Sequence, residues 1–89
     1  MVIPIAGEND DHAAFERLLA DHERQVARVA YRLLGRTDEA QDATQEVFLR
    51  LYRNIDKMAP MLNVAGWLYR VTVNVCRDVL RKRPRFVDE

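Results

Sequence analysis

Apolar residues recur at helical spacing in three segments of the chain, and no strand-like alternation competes with them. In the first segment, from about Asp11 to Leu34, the recurring positions are Phe15, Leu18, Leu19, Val26, Val29, Ala30 and Leu33. In the second, from about Asp38 to Ile55, a turn of ~100° per residue gathers Ala40, Ala43, Thr44, Val47, Phe48, Leu51 and Ile55 on one side. In the third, from about Val64 to Arg83, the stripe is Val64, Leu68, Val71, Thr72, Val75 and Val79. Boundary residues agree with these limits. Gly35 is a natural helix stop, and Pro84 closes the last segment. Asn63 is a good N-cap for the third helix. Thr37 or Asp38 can cap the second, where Asp38 and Gln41 have capping-box spacing. The pattern predicts an all-α domain over residues 11–83: a small bundle of three main helices, with a short fourth at the N-terminus as an option. Residues 1–10 read as a flexible leader.

The polar sides carry more information than the core. On the second helix, Asp38, Asp42, Gln45, Glu46 and Arg53 face away from the apolar side, and Leu49 lies among them. A single exposed leucine is ordinary. One ringed by polar groups also fits a contact anchor with a polar rim. On the third helix, Arg70, Asn74, Arg77 and Arg81 follow at spacings of four, three and four, which places them on one stripe facing away from the core. Guanidiniums in line can track a phosphate backbone, and an amide among them can read a base edge. Trp67 stands at the end of the stripe, where an aromatic can stack on a base. The bland alternative is a solvated face with Asp78 paired locally to Arg81 or Lys82. Beside the stripe lies the one substantial internal loop, "DKMAPMLN", Asp56 to Asn63. Its Met58, Pro60, Met61 and Leu62 either touch a partner or cover the end of the core.

Charge separates the two ends of a chain whose formal net charge is zero. Residues 1–23 hold six acids against Arg17 alone. Residues 70–85 hold six bases against Asp78, a basic end suited to phosphate. Eighty-nine residues allow one domain with a modest core. The single cysteine, Cys76, falls on the buried side of the third helix and fits a reducing compartment. No run approaches the ~20 apolar residues of a membrane span, and the start lacks a signal-peptide pattern. A cytoplasmic protein without membrane insertion is expected.

Catalytic chemistry finds little support. His12 and His22 lie ten apart with no zinc-type cluster, and there is neither a Gly-rich phosphate loop nor a Ser–His–Asp set. The carboxylates four apart, Asp38–Asp42 and Asp42–Glu46, sit on a face open to water, poor ground for acid–base work. No cofactor, metal or catalytic residue is expected, and the chain does not read as an enzyme.

Two strings, "DEAQDATQEVFLRLYRNID" and "GWLYRVTVNVCRDVLRKR", resemble the second conserved region of bacterial RNA polymerase sigma factors, most closely the extracytoplasmic-function (ECF) group. The resemblance runs from about Ala14 to Arg83. It implies that the second helix grips the clamp helices of the polymerase's largest subunit, through Asp42, Gln45, Glu46, Leu49 and Arg53. It implies that Arg50 faces DNA. The loop and last helix are implied to bind the promoter −10 element as single-stranded non-template DNA, with one base flipped into a pocket. By position that surface is Met58, Ala59, Pro60, Met61, Leu62 and Asn63, with Trp67, Tyr69, Arg70, Asn74, Arg77 and Arg81. Duplex opening costs a few kcal/mol per unstacked step, which contacts to one displaced strand can offset.

The loop departs from the family pattern. The family often carries an aromatic where Met58 stands and a polar turn near Ala59–Pro60, which leaves base preference open. Sigma factors of this group also have a second helical domain that reads the −35 element, so residues 84–89 are expected to begin a linker to it. Such proteins are commonly held inactive by an anti-sigma factor, the third partner the resemblance implies. The rival from another class is a helical protein-binding module, an adaptor or sigma mimic, that keeps the Leu49 face and does not bind DNA. A major-groove helix-turn-helix is a weaker reading, since eight residues are long for its turn.

Overall fold

The structure is a computed structural model that describes residues 6–58 and 63–84, apart from the side chains of residues 6–10 and Met58. Four helices follow in order: α1 (Ala6–Leu34), α2 (Thr37–Arg53), α3 (Ile55–Met58) and α4 (Val64–Lys82). There is no strand among the described residues. The three main helices are those the periodicity predicts. A short fourth element, α3, directly follows α2. α1 itself begins at Ala6, so residues 6–10 are helical.

α1 and α2 are joined by two residues. Gly35, at φ 72°, donates its N–H to the Tyr31 carbonyl at 2.7 Å and reverses the chain, a left-handed turn that a side chain would strain. Arg36 is extended, so α2 starts at Thr37 with Arg36 in the cap position and no side-chain cap bond. This corrects the expected caps at Thr37 or Asp38. The reversal is so tight that both already lie inside the first turn, where Asp38 and Glu39 suit the dipole instead. At α4 the expected cap forms: Asn63 Oδ1 accepts from the Gly66 N–H at 2.8 Å. Arg83 ends α4 in an extended conformation, as the residue before Pro84 should.

The core is continuous across the bundle. Val26, Ala30 and Leu34 of α1 meet Ala40, Ala43, Val47, Phe48 and Leu51 of α2, Ile55 of α3, and Leu68, Val75 and Cys76 of α4. Thr72 is fully buried, and its hydroxyl donates to the Leu68 carbonyl at 2.6 Å, which removes the penalty of an unpaired polar group. Phe15, Leu18, Leu19, Val64, Val71 and Val79 pack around this centre, half-buried. One core expectation is corrected. Leu33 is 41% exposed, and Leu34 takes its place inside. Leu33 sits in the last turn of α1, one 100° step from the buried Leu34.

α2 runs antiparallel to α1, with Tyr52 near its end packed edge-on against Phe15, ring centroids 5.2 Å apart at 83°. α4 runs with α1, and their C-terminal ends meet where Arg83 reaches Leu34. Each main helix therefore buries one stripe and leaves an outer face.

Candidate functional site

The outer face of α2 carries Asp42, Gln45, Leu49 and Arg53, all exposed. Leu49 is half exposed, at 50%. Its helix phase is fixed by Val47, Phe48 and Leu51, which are buried on the opposite side. Glu46 is set differently: it turns to the flank facing α4 and accepts a hydrogen bond from Arg50 Nε at 3.0 Å. Both members of this pair remain partly open to water. A residue not singled out in the sequence completes the face. Tyr52 is exposed three residues after Leu49. With Phe15 and Leu19 of α1 and Phe48, these two side chains line an apolar groove between α1 and α2. Its signal in sequence was weak, because Phe15 and Leu19 belong equally to a core stripe.

The outer face of α4 carries Arg70, Asn74, Arg77 and Arg81, all exposed, with Tyr69 beside them at 58%. Arg81 is held by Asp78 one turn back, the local pairing that the sequence allows. Arg70 and Arg77 have no ion-pair partner among the described residues. Two guanidiniums and an amide are thus presented to solvent in line. Trp67 is a correction: it packs against the core, half-buried, rather than standing free at the end of the stripe. Tyr69 is the exposed aromatic at that end.

Between the two faces runs a charged cleft lined by Asp42, Glu46 and Arg50 of α2 and Asp78 and Lys82 of α4, over Ala43, Val75 and Val79. Arg50 lies in this cleft, turned toward α4. Asn63 is exposed at the mouth of α4. Ala59, Pro60, Met61 and Leu62, with the Met58 side chain, lie outside the described residues.

Arg83 belongs to neither face. Counted with the basic end in sequence, its guanidinium instead folds back over the bundle. Nη2 donates to the Leu34 carbonyl at 2.7 Å and pairs with the Glu39 carboxylate. Charge counting cannot reveal such a fold-back, because the partners lie 49 and 44 residues away in sequence.

Burial pushes the Cys76 thiol up from its ordinary value, as expected of a thiolate without a compensating charge. No group of three or more His, Cys, Asp or Glu side chains that could hold a metal ion exists among the described residues. No helix among them is long and apolar enough to cross a membrane.

Comparison with known proteins adds to this geometry. The sequence model of the family described as Sigma-70 region 2 matches residues 18–86. The chain is 36% identical over 84 residues to the ECF RNA polymerase sigma factor SigE of Mycolicibacterium smegmatis, a match covering 94% of this chain and 32% of that protein. To SigW of Bacillus subtilis it is 36% identical over 73 residues, covering 82% of this chain and 39% of that one. To SigM of Mycobacterium tuberculosis the identity is 41% over 73 residues, covering 81% and 37%. The chain thus spans about a third of the length of the curated relatives it matches. No solved structure matches it.

Proposed function

The chain belongs to the sigma-70 region 2 family, in the ECF sigma factor group, and we propose that it serves transcription initiation by docking on RNA polymerase through α2 while α4 binds the opened −10 element. Docking is assigned to Asp42, Gln45, Glu46, Leu49 and Arg53, on the clamp helices of the largest subunit. Leu49 and Tyr52 supply the apolar centre, and the polar residues the rim. Single-strand binding is assigned to Arg70, Asn74 and Arg77, with Tyr69 as a stacking surface and Arg50 and Arg81 at the margins. The loop from Met58 to Asn63 is proposed to cover a flipped base.

The observation that supports this reading is the separation of two exposed faces on one bundle: an apolar centre ringed by charge on α2, and guanidiniums without an ion-pair partner among the described residues flanking an amide on α4. No bond needs to be made or broken. Two cationic side chains track phosphates, Asn74 offers a donor and an acceptor to a base edge, and the equilibrium moves toward open DNA because only that form is bound well.

The test is binding of a short single-stranded −10 oligonucleotide against its scrambled version, with core polymerase present. A preference for the −10 sequence that Asn74→Ala abolishes supports the reading. Equal binding of the two oligonucleotides, unchanged by Asn74→Ala, favours a protein-binding module without DNA recognition.

A further inference from the structure

Arg83 is the least expected side chain of the bundle. Its pair with Glu39 is the one long-range ion pair among the described residues; the other three are three or four residues apart. It is also the least exposed of the four, at 33% for Arg83 and 23% for Glu39. The guanidinium satisfies the carbonyl of Leu34, one of the acceptors that every helix C-terminus leaves without a partner. It also pairs with an acid in the first turn of α2. A single group at the end of α4 therefore clasps the α1–α2 corner. Arg83 Nε is enclosed and has no partner among the described residues, so the contact rests on Nη2 alone.

Among the described residues, little else ties the last turn of α4 to another helix. Leu80 is 40% exposed, Arg81 and Lys82 are exposed, and only Val79 packs on the core from the half-buried side. Yet this turn carries Arg81 and follows directly on Arg77, the distal half of the basic stripe. Without the clasp, the turn that aligns them is free to fray. We propose that Arg83, with Glu39, is a positioning residue that fixes the end of the DNA-facing helix against α2, and that it does not itself contact phosphate. This deepens the functional reading above and rests on it.

Salt dependence of oligonucleotide binding separates the two roles. Each phosphate contact to a single strand contributes about 0.7 to the slope of log K against log salt. Arg77→Ala, a contact variant, should lower that slope by about 0.7. Arg83→Ala should weaken binding about three- to tenfold at one salt concentration with the slope unchanged, a loss on the scale of one ordinary hydrogen bond. Arg83→Lys should restore most of it, since a single nitrogen makes both contacts. Glu39→Gln gives the sharpest sign. If Arg83 were a phosphate contact, neutralising Glu39 would release it and tighten binding; as a positioning pair, the variant binds more weakly.

A fall in slope with Arg83→Ala, or tighter binding by Glu39→Gln, overturns the proposal. So does a lowered melting temperature with oligonucleotide binding of the folded protein unchanged, which is a merely structural role. Native-state hydrogen exchange provides a readout that needs no DNA. Amides of residues 80–83 should exchange faster in Arg83→Ala while those around Leu68 and Thr72 do not, and unchanged exchange at the last turn also ends the proposal. Should the parent chain ignore the oligonucleotide altogether, the functional reading falls and the exchange measurement still decides whether the clasp exists.

Discussion

Leu49 offers the most quantitative test of the docking face. Burying a leucine side chain in full is worth about 1.5–3 kcal/mol. Leu49 is half exposed in the free bundle. About 0.8–1.5 kcal/mol is therefore left to be gained when a partner covers it, and Leu49→Ala should forfeit about four- to twelvefold in polymerase affinity. Leu49→Asp should lose more than that, because an unpaired carboxylate would then be desolvated. The cost to the fold is small in both cases. The buried half of Leu49 contributes at most a similar amount, and alanine regains a few tenths through helix propensity. A shift of about 1 kcal/mol moves the melting point of a domain this size by about 4–8 °C. Leu51→Ala is the internal standard: Leu51 is fully buried, and its truncation should cost about 2–5 kcal/mol, enough to unfold much of a small domain. The assays are titration of labelled protein with core polymerase and thermal melting by circular dichroism. If Leu49→Ala proves as destabilising as Leu51→Ala while polymerase affinity of the folded protein stays at the parent level, the docking reasoning is refuted.

Other consequences are simpler. Arg70→Ala and Asn74→Ala should reduce single-strand binding and spare polymerase affinity; only the former should flatten the salt dependence, by about 0.7 in slope, as read by fluorescence anisotropy across a salt series. Glu46→Gln should loosen Arg50, which Glu46 now holds, and raise oligonucleotide affinity by about two- to fivefold, the scale of a half-exposed ion pair; an equal rise in an Arg50→Ala background contradicts that coupling. Asn63→Ala removes the bond to the Gly66 N–H and should destabilise the fold by about 0.5–2 kcal/mol in denaturant melts. Cys76 is fully buried and its thiol is shifted up by desolvation, so a thiol reagent at mildly alkaline pH should label it only as the chain unfolds; the reactive thiolate fraction grows with pH but stays below that of an exposed cysteine.

The bundle was largely legible in the sequence because its strongest signals are periodic. Val47, Phe48 and Leu51 fix the phase of α2, and with it the outward direction of Leu49, through several turns that agree with one another. The same holds for Leu68, Thr72 and Val75 against Arg70, Asn74 and Arg77. Helix ends were less legible, since each depends on one or two residues. Leu33 and Leu34 differ by a single 100° step, and only the packing of neighbours decides which is covered. Arg36 became the cap of α2 because Gly35 reverses the chain at once, a backbone event that residue type alone does not time. Long side chains were hardest. Trp67 is large enough to reach the core from the margin of an outer face, and Arg83 long enough to span to another helix. The α1–α2 groove beside Leu49 needed both helices in place before Phe15, Leu19 and Tyr52 could be seen together.

Site-specific photocrosslinking asks the central question most directly, with a photoreactive residue placed at Leu49 in one variant and at Asn74 in another. In a complex of polymerase and an oligonucleotide bearing the −10 sequence, the probe at position 49 should attach to the largest subunit and the probe at position 74 to the DNA strand. Capture of the same molecule by both probes, or of polymerase by position 74 alone, would contradict two separate faces.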